Sequence, residues 1–207
     1  MLTVHASTKM KMMADDRLYQ ICRSIFSPIF RCFFHPQIVN ADRIPKSGPV
    51  ILAGNHKHAL DPLLVDICTF RTVHTLAKSE LFEGCFGFFF SRIGAIPVYL
   101  EAPRNPDAYA GAKEVLRKNE VLNISPEAAR NYTKEILLPF KTGAVRLAKE
   151  TNTKILPYCI VGDYVFRSRN LKIVFGEPIE ISEEEVADAN KMLYSAIETL
   201  LLENRYD

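Results

Sequence analysis

The chain has no long uncharged stretch. Its longest runs without Lys, Arg, Asp or Glu, such as residues 47–56, cover ten residues, whereas a helix that spans a membrane needs about 20 apolar residues. The N-terminus also lacks an apolar segment of the signal-peptide type before Asp15 and Asp16. The sequence therefore predicts no membrane-spanning helix, and we expect the protein to remain in the cytoplasm.

Cysteine is scarce. Five cysteines are scattered along the sequence without a Cys-x-x-Cys pair or a neighbouring histidine cluster, a pattern that favours reduced thiols over a disulfide framework. His58 follows His56 by two residues, but a zinc site needs further His, Cys or acidic ligands, and no second cluster supplies them. We therefore expect neither a structural metal nor a cofactor.

An excess of charge of one sign is also missing. Lys and Arg number 26 against 24 Asp and Glu, so the net charge is only +2 and gives no reason to expect a nucleic acid partner. The sequence has no repeats and no low-complexity linker, and its 207 residues suit one domain with a substantial core.

The segment 48–62 combines an apolar run with a polar cluster. Residues 49–53 lie between two glycines and read as a buried strand. Asp61 and Pro62 then form a typical helix start, with Asp61 as the N-cap. His56 lies in the loop between them, at the carboxyl end of the strand, where open α/β sheets bind ligands. His56 and Asp61 are therefore candidates for a general base and its orienting carboxylate, although capping alone would also explain Asp61.

Along the rest of the chain, short apolar runs alternate with segments in which apolar residues recur at helical spacing. This alternation predicts an α/β fold with a mixed, largely parallel sheet and helices on both faces. The predicted strands are 37–41, 49–53, 73–77, 94–100, 121–124, 154–161 and 170–175. The predicted helices are 17–34, 61–71, 107–118, 144–150 and 183–201, and a further helix is predicted to begin at 78–82.

The segment 17–34 has apolar residues at helical spacing, three arginines and no acidic residue. This pattern is typical of an amphipathic helix in a membrane interface, but an aliphatic and aromatic stripe equally suits a helix packed on the core. The aromatic run 86–90 has the same two interpretations. We divide the chain into an amphipathic, membrane-associating N-terminal segment, 1–35, and a domain, 36–207, that carries the site.

Four sequence blocks accompany the ends of predicted strands. They are Asn55-His56-x4-Asp61-Pro62; Ala77-Lys78-x-Glu80-Leu81-Phe82 running on to Gly94-x-Ile96-Pro97-Val98; Pro126-Glu127-x-x-Arg130; and Phe140-Lys141-x-Gly143 with Leu156-Pro157. Each block alone is weak evidence. In this order and at these intervals, however, they resemble the glycerolipid acyltransferases of the PlsC type over roughly residues 36–180.

The resemblance implies transfer of a fatty acyl group from acyl-CoA or acyl carrier protein to the hydroxyl of a lysophospholipid. The leading acceptor is 1-acylglycerol-3-phosphate, whose product is phosphatidate. The resemblance also implies a peripheral location on the inner face of the cell membrane. An alcohol needs a base before it can attack a thioester, and this role falls on His56, oriented by Asp61.

The resemblance also implies a set of substrate-binding residues. In the family, the third block binds the glycerol phosphate of the acceptor, so this role falls on Glu127 and Arg130. An arginine suits phosphate because its fork can bond two oxygens at once. Lys78 and Lys141, in two other blocks, are further candidates.

Two departures from the family pattern affect the acceptor. Ala128 and Ala129 replace the usual glycine and threonine, and Leu100 stands where the third strand usually carries an arginine. Arg104 is a candidate to replace that arginine. The departures favour one alternative, an acyltransferase for another lysolipid such as a lyso-aminolipid. A lipid-binding protein without catalysis is a further alternative, against which the intact His56 and Asp61 argue.

Overall fold

The computed structural model describes residues 15–83, 87–99, 105–167, 169–181 and 183–205. Over these residues the chain forms one seven-stranded sheet and six α-helices. The strands are β1 Gln37–Val39, β2 Val50–Gly54, β3 Val73–Lys78, β4 Ile96–Val98, β5 Val121–Ile124, β6 Ile155–Val161 and β7 Lys172–Phe175. The helices are α1 Asp16–Phe34, α2 Asp61–Asp66, α3 Gly87–Arg92, α4 Pro106–Arg117, α5 Gly143–Thr151 and α6 Val186–Asn204.

The strand order in the sheet is β1-β7-β6-β2-β5-β3-β4. The pair β6–β7 is antiparallel, and the other described pairs are parallel. Strands β2, β5 and β6 are buried along their whole length, as expected for central strands covered on both faces. Because β2 lies between β5 and β6, the carboxyl ends of these three parallel strands meet at one edge of the sheet.

Helices cover both faces of this sheet. Buried residues of α4, α5 and α6 pack with one set of strand side chains, whereas buried residues of α1 and α2 pack with the opposite set. The alternation of side chains along each strand separates these two cores. The predicted mixed, largely parallel sheet with helices on both faces is therefore confirmed.

Helix α1 has one buried and one exposed face. Tyr19 and Phe30 are buried in the core, and the Tyr19 hydroxyl donates to a carboxylate oxygen of Asp66, 3.1 Å away. The apolar side chains that remain exposed on this helix are Ile21, Ile25, Phe26, Ile29 and Phe33. The helix therefore packs on the core with one face and leaves an apolar face exposed, and its contact with a membrane stays a prediction.

Some helix boundaries differ from the prediction. Helix α2 ends at Asp66 rather than near residue 71, and Ser79–Phe82 form a short 3-10 helix that no side chain caps. Among the described residues, no helix has the length and apolar character needed to cross a membrane.

Candidate active site

The site is assembled where β2, β5 and β6 end. His56 follows β2, Glu127 follows β5 and Tyr164 follows β6. Neighbouring strands in a sheet lie about 4.8 Å apart, so short loops after these three strands can bring their side chains into contact.

His56 and Asp61 form a hydrogen-bonded pair. The Nδ1 atom of His56 lies 2.8 Å from Oδ2 of Asp61. The His56 side chain is 27% exposed, whereas the Asp61 side chain is 4% exposed. A carboxylate at Nδ1 favours the tautomer with its proton on that atom and leaves the lone pair on Nε2. The pair therefore has the geometry of a base held by a buried carboxylate.

The carboxylate of Asp61 accepts three further hydrogen bonds. Oδ2 accepts from the backbone N–H groups of Lys57 and His58, both at 2.8 Å, and Oδ1 accepts from the Tyr164 hydroxyl at 2.7 Å. The prediction that Asp61 is the N-cap of α2 is wrong, because Leu60 occupies that position and Asp61 is the first helical residue. Its side chain instead turns back onto the loop that carries His56.

Glu127 holds the same loop from the other side. Its Oε1 atom accepts the backbone N–H of His56 at 2.9 Å, and its Oε2 atom accepts that of Leu138 at 2.7 Å. Burial raises the pKa of this carboxyl, partly offset by these two hydrogen bonds. The backbone N–H of Asn131 also donates to the His56 carbonyl at 2.9 Å. The main chain of His56 is thus held at both its N–H and its carbonyl.

Asn55 fixes the end of β2 to its neighbour β6. Its side-chain amide donates to the Ile160 carbonyl at 3.0 Å, and its side-chain oxygen accepts the Ile160 N–H at 2.7 Å. Position 54 needs a glycine because a Cβ atom there would overlap the ring of Tyr158. Asn55 therefore continues the pairing of β2 with β6 through two hydrogen bonds of its side chain.

The other predicted substrate residues lie around this centre. Arg130 is exposed, with its guanidinium carbon 5.8 Å from the centre of the Tyr132 ring. Lys141 is exposed, and its backbone N–H donates to the Pro126 carbonyl at 2.8 Å. Both residues thus belong to the surface next to the Glu127 loop.

Lys78 lies at the end of β3, two strands from β2, where its amine is 3.2 Å from Glu80. Arg104 and Leu100 lie outside the described residues. Ala128, at the usual glycine position of the block, has a φ of 55°. A side chain at this left-handed φ is strained relative to glycine.

A cavity of about 280 Å³ opens beside the His56 loop. Its lining includes His56, Lys57, Glu127, Asn131, Ile136 and Arg205. The cavity therefore joins the loop after β2 to the segment after β5 and to the residue that follows α6.

A family model described as Acyltransferase matches residues 35–161. The chain belongs to the acyltransferase family. A 1-acyl-sn-glycerol-3-phosphate acyltransferase of Borreliella burgdorferi is 30% identical over 158 residues, which are 75% of this chain and 62% of that protein. An enzyme of the same name from Helicobacter pylori is 30% identical over 153 residues, 72% of this chain and 62% of that protein. The chain thus spans about 62% of the length of these curated relatives.

A solved structure has a similar fold. The 1-acyl-sn-glycerophosphate (LPA) acyltransferase PlsC from Thermotoga maritima superimposes with a TM-score of 0.69. The match covers 93% of this acyltransferase-family chain and 81% of that protein, at 21% sequence identity. The arrangement of sheet and helices is therefore that of PlsC, in agreement with the resemblance drawn from the sequence blocks.

Sequence reasoning missed two residues of this site. Tyr164 lies outside the four blocks, and Asn55 begins the first block but was given no role. The one available signal for Tyr164 was its place just after a core strand. That signal becomes useful only once β6 is known to lie beside β2.

Proposed function

We propose that the chain transfers a fatty acyl group from a thioester donor, acyl-CoA or acyl carrier protein, to the hydroxyl of a lysophospholipid. The proposed acceptor is 1-acylglycerol-3-phosphate and the product is phosphatidate. The main support is the His56–Asp61 pair, bonded at 2.8 Å at the carboxyl end of a central strand. The names and sequences of the two bacterial relatives support the choice of acceptor.

The proposed reaction needs one base and no covalent enzyme intermediate. Nε2 of His56 takes the proton of the acceptor hydroxyl while its oxygen attacks the thioester carbonyl. The tetrahedral intermediate then collapses, the ester forms, and the C–S bond breaks. The leaving thiolate takes the proton back from the imidazolium, so His56 returns to its starting state. Asp61 stabilises the imidazolium that forms between these two steps.

We assign acceptor binding first to Arg130. It is exposed beside the Glu127 loop, and among the described residues no carboxylate forms an ion pair with it. Lys141 flanks the same loop, and Lys78 and Arg104 remain further candidates. Glu127 is also predicted to contact the acceptor. Its second role is to hold the His56 loop, because its two oxygens accept the backbone N–H groups of His56 and Leu138.

A different lysolipid is the second candidate acceptor. Ala128 and Leu100 replace residues of the usual phosphate-binding pattern, which favours an acceptor such as a lyso-aminolipid. A panel of lysolipids, offered with acyl-CoA and with acyl carrier protein thioesters, distinguishes the two candidates by their kcat/KM ratios. A clear preference for a phosphate-free acceptor would require a new assignment for Arg130.

We further propose peripheral attachment to the inner face of the cell membrane through the exposed face of α1. Ile25 is 61% exposed and Ile29 is 49% exposed, although both are apolar, and each buried CH₂ group contributes about 0.8 kcal/mol to attachment. The double substitution Ile25→Ser with Ile29→Ser should release protein from anionic vesicles. Leu202→Ser, which changes a 50% exposed leucine on α6, is the matched control and should bind normally. Equal binding by both variants would exclude this face of α1.

The central experiment measures acyl transfer by the wild type and by His56→Ala. Loss of a general base lowers a rate by about two to four orders of magnitude, and we expect the variant to stay folded because the His56 side chain is partly exposed. Circular dichroism and thermal unfolding check that the variant is folded. Absence of transfer by the wild type with every donor and acceptor, or normal turnover by the folded variant, would overturn the proposal.

A further inference from the structure

Tyr164 completes the hydrogen bonds of the Asp61 carboxylate. Oδ2 of Asp61 faces three nitrogen atoms: Nδ1 of His56 and the backbone nitrogens of Lys57 and His58. The other oxygen, Oδ1, accepts the Tyr164 hydroxyl at 2.7 Å. The phenol therefore bonds the oxygen that points away from His56, on the far side of the carboxylate from the base.

The ring of Tyr164 is itself held on three sides. It stacks on His58, with ring centres 4.5 Å apart and planes at 24°. Its edges meet Phe34 at 5.7 Å and Phe30 at 6.3 Å, both close to perpendicular. These contacts fix the position of the hydroxyl through packing with α1 and with the loop that carries the base.

The hydroxyl acts as a donor in this contact. Burial, and next the charge of Asp61, raise the pKa of Tyr164 well above its ordinary value. The phenol thus keeps its proton over the working range of pH, and a carboxylate oxygen can only accept from it.

We propose that Tyr164 is a positioning residue that fixes the plane of the Asp61 carboxylate, and through it the orientation of His56. Rotation of the carboxylate about its Cβ–Cγ bond moves both of its oxygens. The bond at Oδ1 therefore opposes this rotation together with the three contacts at Oδ2, and it keeps Oδ2 aligned with Nδ1 of the imidazole. This inference rests on the proposed function, because it assigns Tyr164 to the base of the acyl transfer.

The test uses Tyr164→Phe, which removes the hydroxyl and keeps the packed ring. Tyr19→Phe is the matched control, because the Tyr19 hydroxyl also donates to a carboxylate, that of Asp66 at 3.1 Å, away from His56. Tyr164→Phe should lower kcat about tenfold, the scale of one lost hydrogen bond to a charged group, with little change in either KM. Tyr19→Phe should leave kcat unchanged.

A second readout does not need activity. In protein labelled with ¹⁵N in its histidine rings, the signals of His56 are those that disappear in His56→Ala. These signals should shift in Tyr164→Phe and stay in place in Tyr19→Phe. Thermal unfolding of each variant checks that the fold is retained.

Each outcome decides one proposal. Where the wild type is active, an unchanged kcat or unmoved His56 signals in Tyr164→Phe overturn the positioning role, and so does an equal effect of Tyr19→Phe. An inactive wild type, or an active His56→Ala, overturns the proposed function instead. The His56 signals alone then decide whether Tyr164 positions the pair.

Discussion

Replacing Asp61 by Asn separates the charge of this side chain from its hydrogen bonds. The two backbone N–H groups at Oδ2, from Lys57 and His58, can be satisfied only by the amide oxygen. The amide NH₂ must then face Tyr164, whose hydroxyl can turn and accept. An oxygen atom therefore still faces Nδ1 of His56, and the imidazole keeps the same tautomer.

The expected loss of activity follows from this orientation. Only the negative charge is removed, and hydrogen bonds to charged groups contribute about 1.5–3 kcal/mol against about 1 kcal/mol for neutral ones. The difference is about 0.5–2 kcal/mol, and at about 1.4 kcal/mol per factor of ten, Asp61→Asn should lower kcat roughly two- to thirtyfold. The amide remains hydrogen-bonded throughout, so the free energy of unfolding should fall by no more than about 1 kcal/mol.

Asp61→Ala is the contrasting variant. It leaves two backbone donors and the phenol of Tyr164 without an acceptor, in a place where the carboxylate was 4% exposed. Each unsatisfied donor costs about 1–3 kcal/mol, and the low end applies to these partly buried groups. We therefore expect a loss of about 3 kcal/mol, which is more than the roughly 0.5–2 kcal/mol of an ordinary helix cap.

The assay combines two measurements. Release of free thiol from a long-chain acyl-CoA, with 1-acylglycerol-3-phosphate as acceptor, gives kcat and KM, and equilibrium unfolding in denaturant gives stability. A loss of more than a thousandfold in folded Asp61→Asn would show that the amide does not keep the oxygen toward His56. Equal stability of the Asn and Ala variants would refute the account of the hydrogen bonds.

Three further predictions concern other parts of the molecule. Arg130→Ala should raise the KM for the lysophosphatidate acceptor about tenfold or more, the scale of a charge-assisted hydrogen bond; a fall in kcat alone would assign Arg130 to the transition state. Ala128→Gly should raise the free energy of unfolding by up to about 1 kcal/mol, because the φ of 55° suits glycine, whereas Ala129→Gly should not stabilise the protein. Burial raises the pKa of Asp66 from 3.8 to about 7, so the folded protein keeps a proton that the unfolded chain loses. Stability should therefore fall as pH rises between these two values and level off above them, and Asp66→Asn should flatten this dependence in unfolding curves recorded across the range.

The local parts of the site could be predicted from the sequence. The central strands are short apolar runs, and β2 and β5 follow the predicted limits within a residue. His56 and Asp61 are five residues apart, so a single loop can bring them together. The Arg17–Phe34 periodicity likewise identified α1, which begins at Asp16.

The contacts between distant segments could not be predicted. Tyr164 is 103 residues from Asp61, and the two meet only because β6 lies beside β2, which no local pattern reveals. The pattern Asp-Pro is the same whether the carboxylate caps its own helix or turns to the preceding loop. The apolar residues of α1 cover more than one side of the helix, so its sequence could not separate the packed face from the exposed one.

The position of β6 has a consequence for how the protein is made. Asn55 and Ile160 bond to each other across 105 residues of chain, so β2 gains its β6 neighbour only after the intervening residues and β6 have left the ribosome. Until then β2 has an open, fully apolar edge that can pair with another chain. A chaperone that covers nascent strands should therefore increase the yield of folded protein.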